Sequence, residues 1–338
     1  MQALHSPHQQ TTARCYTLPD RDYGLRVCDP WRIELEIPLL EMMWIRARGV
    51  RRSEGYPELE TIYSGRVSVN SRPRIIESRA WAMTEDGVCT YGGGRWVVEL
   101  PWEDAGDELR SKRNSALVVS GRGDELMLRV DDEERAYIRV AEEVWRLRDL
   151  RQAKPETVYL QGAGIKFDPT RSGVSVRSAI RDRYLCDLEL PHTSRGLSWR
   201  DWASTASGRL YLAAGHQIYA GRLGGGLRLW TEVARDERIC GHACNERGEL
   251  WLVTTRGCIY GVSRRGRVYK IAEPTWGANP IPGGENLVTV DASGRRFTLS
   301  LWFRESGPHT YVFDIDQRCV YPVGREINRY AMCLEPWL

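Results

Sequence analysis

A phrase of ten residues is written twice in this chain, and it constrains the fold more than any other feature. Ala203-Ser-Thr-Ala-Ser-Gly208-Arg-Leu210-Tyr211-Leu212 lies over Ala243-Cys-Asn-Glu-Arg-Gly248-Glu-Leu250-Trp251-Leu252 at an offset of 40. Further on, Gln217-Ile218-Tyr219 lies over Cys258-Ile259-Tyr260 at an offset of 41, and Gly226 to Leu229 lies over Gly266 to Tyr269 at 40 again. One residue inserted in a turn explains the slip. The segments flanking each glycine are short and apolar in alternation, which is the pattern of half-buried strands. A unit of this kind cannot bury its own faces alone, so the chain is expected to stack several of them.

Looser copies run through the rest of the sequence. Ala82 to Tyr91 repeats the phrase around Gly87, with the same five residues from Ala to Gly, and Arg95 to Leu100 follows as a strand. Between Gly87 and Gly208 there are 121 residues, room for two hidden units. One is read as Ser115–Ser120, Glu125–Val130 and Ala136–Val140, with Glu142–Leu150 left open between a helical excursion and a last strand. The other is Thr157–Leu160, Gly164–Phe167, Gly173–Arg177 and Tyr184–Leu190. After the matched pair come Asn286–Val290, Arg296–Trp302, Thr310–Ile315 and Arg318–Val323. The turn glycines Gly87, Gly123, Gly164, Gly208, Gly248 and Gly294 are spaced by 36, 41, 44, 40 and 46. Upstream, Trp31–Ile37 alternates apolar and charged residues without a fault, and Met42–Ala47 and Thr61–Val69 continue in that style. This opening segment is counted as a seventh unit, with the tail Asn328–Leu334 expected to pair with Trp31–Ile37. No stretch has the period of a long amphipathic helix, which excludes α/β and bundle folds.

In length and turn placement these units resemble the blades of the β-propeller superfamily, WD-repeat-like or from a related bacterial propeller, over roughly residues 23 to 335. The resemblance implies an all-β ring of four-stranded blades, seven favoured over six, with residues 1–22 a flexible arm and 23–338 a single domain. It names no specific family. No unit ends in Trp-Asp, Gly241-His242 occurs once, and no kelch double glycine recurs.

Composition narrows the partners. The formal charge is only +3 and the pI about 8.4, so nucleic acid is not an expected partner, since such proteins carry a strongly basic domain or stripe. Of 48 basic residues only Lys112, Lys154, Lys166 and Lys270 are lysine; arginine pairs with carboxylates and stacks on rings. Thirteen Trp and 15 Tyr stand beside four Phe, a balance that suits half-exposed sheets and interfaces as well as packing inside blades. Nine cysteines at 15, 28, 89, 186, 240, 244, 258, 319 and 333 form no disulfide framework and read as reduced thiols in a cytoplasmic, soluble protein. Met1 to Thr12 has no apolar core of a secretory signal, and the longest apolar run, Ile37–Ile45, is too short to cross a bilayer.

Candidate chemistry is sparse. Cys240, His242 and Cys244 share one face of an ideal strand, and Cys258 could approach them, a possible tetrahedral zinc set. Same-face positions on a strand diverge by almost 7 Å per step, so packing is the preferred reading and no metal or cofactor is expected. The runs Gly221–Gly226 and Gln161–Gly164 join strands and lack a following Lys-Ser or Lys-Thr, which leaves hairpin turns rather than phosphate loops. His5 and His8 fall in the arm, His192 in an inter-blade loop and His309 in a Gly-Pro-His turn. Asp131-Asp132-Glu133-Glu134 reads as an exposed turn, and Asp168–Arg171 as another. No catalytic residue is assigned. The expected function is therefore a non-catalytic scaffold that binds a protein or peptide, with a contiguous exposed patch of Arg, Trp and Tyr. The alternatives are a hydrolase or lyase at the central channel and, third, carbohydrate or small-ligand binding between blades.

Overall fold

The computed structural model describes residues 24–34, 42–44, 74–76, 79–83, 87–92, 95–106, 115–120, 122–130, 132–142, 144–154, 156–160, 164–191, 201–205, 207–275, 288–290, 294–304, 307–324 and 332–334. The N-terminal segment supplies β1 (Leu25–Val27), β2 (Arg32–Ile33) and β3 (Met42–Trp44). Six successive antiparallel sheets follow. The first holds β4–β7 (Arg74–Ile76, Arg79–Met83, Gly87–Gly92, Arg95–Pro101), and the second holds β8–β11 (Ser115–Val119, Glu125–Val130, Glu133–Ala141, Val144–Gln152). The third holds β12–β15 (Val158–Leu160, Ile165–Pro169, Gly173–Ser178, Tyr184–Glu189), and the fourth β16–β19 (Trp202–Ser204, Arg209–Ala214, Gln217–Arg222, Gly226–Glu232). The fifth holds β20–β23 (Ile239–Cys244, Leu250–Thr254, Ile259–Val262, Val268–Pro274), and the sixth β24–β27 (Val288–Val290, Arg296–Phe303, Gly307–Asp314, Cys319–Gly324). In each, strands neighbouring in sequence are neighbours in the sheet. The first strands β8, β12, β16, β20 and β24 lie beside one another from sheet to sheet, and β28 (Met332–Leu334) continues the series beside β24. Each sheet is thus a blade running outward from its first strand, the arrangement of a β-propeller.

The turn glycines are where the repeat is written most plainly. Thr205, Asn245 and Ser120 each begin a four-residue turn, accepting at their carbonyl the N–H of Gly208, Gly248 and Gly123. Their side-chain oxygens then accept N–H groups at the start of the next strand, as from Arg209 to Thr205 Oγ1 and Glu249 to Asn245 Oδ1. Such side-chain-to-backbone bonds are what Ser, Thr and Asn contribute to turns. Gly248 has φ +80°, and a Cβ there would come 2.9 Å from the hydroxyl of Tyr211 in the preceding blade. Only glycine meets both demands. The Tyr211 hydroxyl donates to the Gly248 carbonyl at 3.0 Å, so the turn is also a dock between blades.

Blades meet through buried side chains. Between the fifth and sixth, Trp251 stacks on Phe297 at 5.4 Å and Phe297 on Phe313 at 4.3 Å, within a core that includes Leu299, Leu301 and Tyr311. The first and second share Trp81, Leu117, Leu126, Leu128 and Tyr137; the third and fourth share Phe167, Trp202 and Leu210. The second and third share a small apolar cluster, Val118, Met127, Ala179 and Ile180.

The opening segment departs from expectation. β1 pairs antiparallel with β23 and β2 pairs parallel with β27, so the described part of Trp31–Ile37, residues 31–34, does not begin a blade of its own. It runs along the outer edges of the fifth and sixth blades as a strap. Leu25 and Trp31 join their shared core, Trp31 meeting Phe313 edge-on at 6.0 Å. That burial is why the strap outranks a free-standing strand. The tail strand β28 pairs with β3 instead, giving a two-stranded sheet built from both ends of the chain. Residues 45–73, where Thr61–Val69 was read as a strand, and the arm 1–22 lie outside the described residues. Within Glu142–Leu150 the described residues from Val144 on are strand, β11, fixed by eight paired positions with β10 that override its charge-rich pattern. α-Helix is confined, among the described residues, to α1 (Trp102–Ala105).

Candidate functional site

The joint between the second and third blades holds the densest chemistry in the described residues. Glu134 is the second residue of β10 rather than part of an exposed turn, and it is 1% exposed. Pairing of β10 with β9 and β11 turns it inward, and three side chains converge on its carboxylate. Lys166 of β13 places its ammonium 2.9 and 2.7 Å from the two oxygens. Arg151 of β11 donates from Nε at 2.8 Å, and the Tyr159 hydroxyl of β12 donates at 2.5 Å. Lys166 also reaches Asp182 at 2.8 Å, which Arg177 holds at 3.1 Å. Asp182 sits at φ 51°, a left-handed conformation that Asp tolerates better than most residues.

The surrounding polar groups are tied in the same way. Arg151 Nη2 donates to the carbonyls of Ala179 and Ile180 at 3.0 Å. Arg129 donates to the carbonyls of Thr157 and Lys154 and covers the Tyr159 ring at 5.2 Å. Glu125 takes Arg148 at 2.8 Å and Arg181 of the next blade at 3.0 Å. Asp168, read from composition as part of a turn, is a buried strand residue that accepts from Thr157 Oγ1 at 2.7 Å. Its pairing within β13 removed it from the turn, which begins only after Pro169.

Burial, then the hydrogen bond to Glu134, pushes the Tyr159 phenol well above its ordinary value. Burial works against the Asp182 carboxylate, yet the hydrogen bond and charge of Lys166, with Arg151 and Arg177, hold it below the usual range. Both Glu134 oxygens are occupied, and the Lys166 ammonium is spent on carboxylates of its own protein. A general acid or base needs a position that a substrate proton can reach. Glu134 and Lys166, the buried members, offer none: they form an ionic joint between blades, with charges paired as burial requires.

A second constellation lies on the fifth blade. Glu237, buried before β20, accepts from the Tyr260 hydroxyl at 2.8 Å. Lys270 stands 5.7 Å over the Tyr260 ring and 3.2 Å from Glu273, which also binds Arg26 of the strap. Burial, and after it the charge of Glu237, raises the Cys258 thiol to about 11.

The residues considered as zinc ligands are not gathered. A β-bulge between Ile239 and Gly241 breaks the alternation of β20. Cys240 therefore packs against the core shared with the sixth blade, whereas Cys244 and Cys258 pack against the core shared with the fourth. His242 is buried in the same strand. Burial raises the Cys244 thiol to about 12. Among the described residues no three His, Cys, Asp or Glu side chains are placed to hold an ion.

His309 is not in a turn. It lies inside β26, 4% exposed, opposite Leu301 and 5.2 Å from the Phe303 ring; Pro308 is accommodated near the start of that strand. His216 sits in the turn after β17, 3.7 Å from Glu232. His5, His8 and His192 lie outside the described residues. The anticipated patch of Arg, Trp and Tyr is differently made: exposed large apolar residues among those described are Val, Leu, Tyr184 and Tyr269, with no tryptophan. No described helix is long and apolar enough to cross a membrane.

No family model matches the chain, and no curated protein does. Solved structures with a similar course of the chain include YCF48 bound to a D1 peptide, at 12% identity, with 76% of this chain and 82% of that one covered and a TM-score of 0.45. The C-terminal WD40 domain of Sif2 matches at 9% identity, covering 80% and 87%, with a TM-score of 0.46. A catalytically inactive virginiamycin B lyase from Staphylococcus aureus, with quinupristin, matches at 13% identity, covering 76% and 85%, with a TM-score of 0.49. The fold, carried by its own order of four-stranded blades, is that of a β-propeller.

Proposed function

We propose that the protein is a non-catalytic scaffold that holds a protein or peptide partner within a multi-protein assembly of the cytoplasm. The observation that supports this reading is the state of the outer strands. Val97 and Val98 on β7, Val144, Leu147 and Leu150 on β11, Tyr184 and Leu185 on β15 and Leu229 on β19 are all exposed by two fifths or more. Apolar side chains gathered along sheet edges mark surfaces that meet a partner. The buried charges, by contrast, are consumed in holding blades together.

The test is native purification with mass determination of the eluting species, followed by the same run on a Leu150→Lys, Leu229→Lys variant. A stoichiometric complex that the variant fails to retain is the expected result. Recovery of the native protein only as a free monomer would overturn the reading.

A further inference from the structure

We propose that the outer edge of the second blade, strand β11, is a docking edge that takes an extended, acidic and apolar segment of a partner protein as a fifth strand. The proposal rests on the scaffold reading and deepens it by naming the place, the mode and the partner's chemistry. This fold already accepts fifth strands: β1 adds antiparallel to β23, and β2 adds parallel to β27. Among the described residues β11 ends its sheet with nothing beyond it. It is also the longest outer strand described, nine residues against seven in β7, β19 and β23 and six in β15 and β27. Sheet edges are commonly blunted by shortness, proline or lysine, and Val144-Trp-Arg-Leu-Arg-Asp-Leu-Arg-Gln152 contains neither proline nor lysine.

The side chains say what would fit. Val144, Leu147 and Leu150 are about half exposed, and Val140 of the adjoining β10 adds to them. A paired strand with apolar residues at alternate positions would cover Leu147 and Leu150, which the bulge at Arg148 brings to one face, while its backbone completes the ladder. The charge to be matched is positive. Arg148 is committed to Glu125 and Arg151 to Glu134. Arg146 is exposed and makes no ion pair with a described residue. An acidic residue opposite it would complete the edge.

The experiment is fluorescence anisotropy with a labelled peptide of β11's length that alternates valine and glutamate, and a second peptide with lysine in place of glutamate. The wild-type protein is expected to bind the first at least about tenfold more tightly than the second. Arg146→Glu should reverse that preference, an exchange that a misfolded variant cannot produce, and Leu147→Lys should weaken both. Equal binding of the acidic peptide by wild type and Arg146→Glu would overturn the edge assignment while leaving the scaffold reading standing, as would saturable binding of neither peptide. A dimer in sedimentation that Leu147→Lys splits would show a second copy on this edge and would also overturn the proposal.

Discussion

The joint between the fifth and sixth blades and the joint between the second and third do the same mechanical task with opposite chemistry. The first is dry and aromatic, Trp251, Phe297 and Phe313 stacked in series with Trp31 of the strap against them. The second places Glu134, Lys166, Arg151, Tyr159 and Asp182 in one closed set of ion pairs over a small apolar cluster. The difference teaches that a repeat fold fixes where neighbouring units touch, not what they touch with. Dispersion and burial stabilise the aromatic joint whatever its neighbours. The ionic joint depends on its buried members keeping their partners, since the charges of Glu134 and Lys166 have been taken out of water.

The comparison breaks most visibly under single truncations. Glu134→Ala is expected to cost about 3–5 kcal/mol, because it leaves Lys166 and Arg151 buried without their shared partner. Phe297→Ala should cost a similar 3–5 kcal/mol, by removing apolar contact and opening a cavity. Denaturant unfolding measures both. What separates them is the remedy. Changing pH should leave the Phe297→Ala loss unchanged, whereas the ionic joint answers to pH.

A smaller effect sharpens the contrast in acid. The Asp182 carboxyl is held below its ordinary range by Lys166, Arg151 and Arg177 despite its partial burial. A group depressed in the folded state contributes stability that is present above its unfolded value, about pH 4, and that is lost as pH falls through the folded one. Stability should therefore decline below about pH 4, and Asp182→Asn should flatten that part of the curve, read from denaturant midpoints across pH. A decline of unchanged steepness in Asp182→Asn would show that the acid response arises elsewhere.

The two joints also differ in how far they could be read from sequence. Phe297, Leu299 and Leu301 alternate along one strand, so the period of two exposes the aromatic joint directly. Glu134 ends a run of four acidic residues, and such runs are usually solvated. Its burial follows from a blade thirty residues away, where Lys166 and Asp182 are brought beside it. Asp168 was hidden in the same way by its proline neighbour. The strap was concealed for a further reason: Trp31–Ile37 has the alternation of a strand, but pairing partners more than 200 residues distant decide which blade it joins. The turn positions Thr205 and Asn245 carried a usable signal, a short polar residue three before each glycine, alongside the more obvious Ala and Gly spacing.

The most direct measurement of the claim that the Glu134 cluster is a structural joint is a double-mutant cycle of Glu134→Leu and Lys166→Met by denaturant unfolding. Each single change should cost about 3–5 kcal/mol. The double variant should cost no more than the larger single one, because removing both partners leaves neither charge stranded and Arg151 and Arg177 keep Asp182. Costs that simply add would contradict it, showing that the two side chains stabilise the blades independently rather than as one joint.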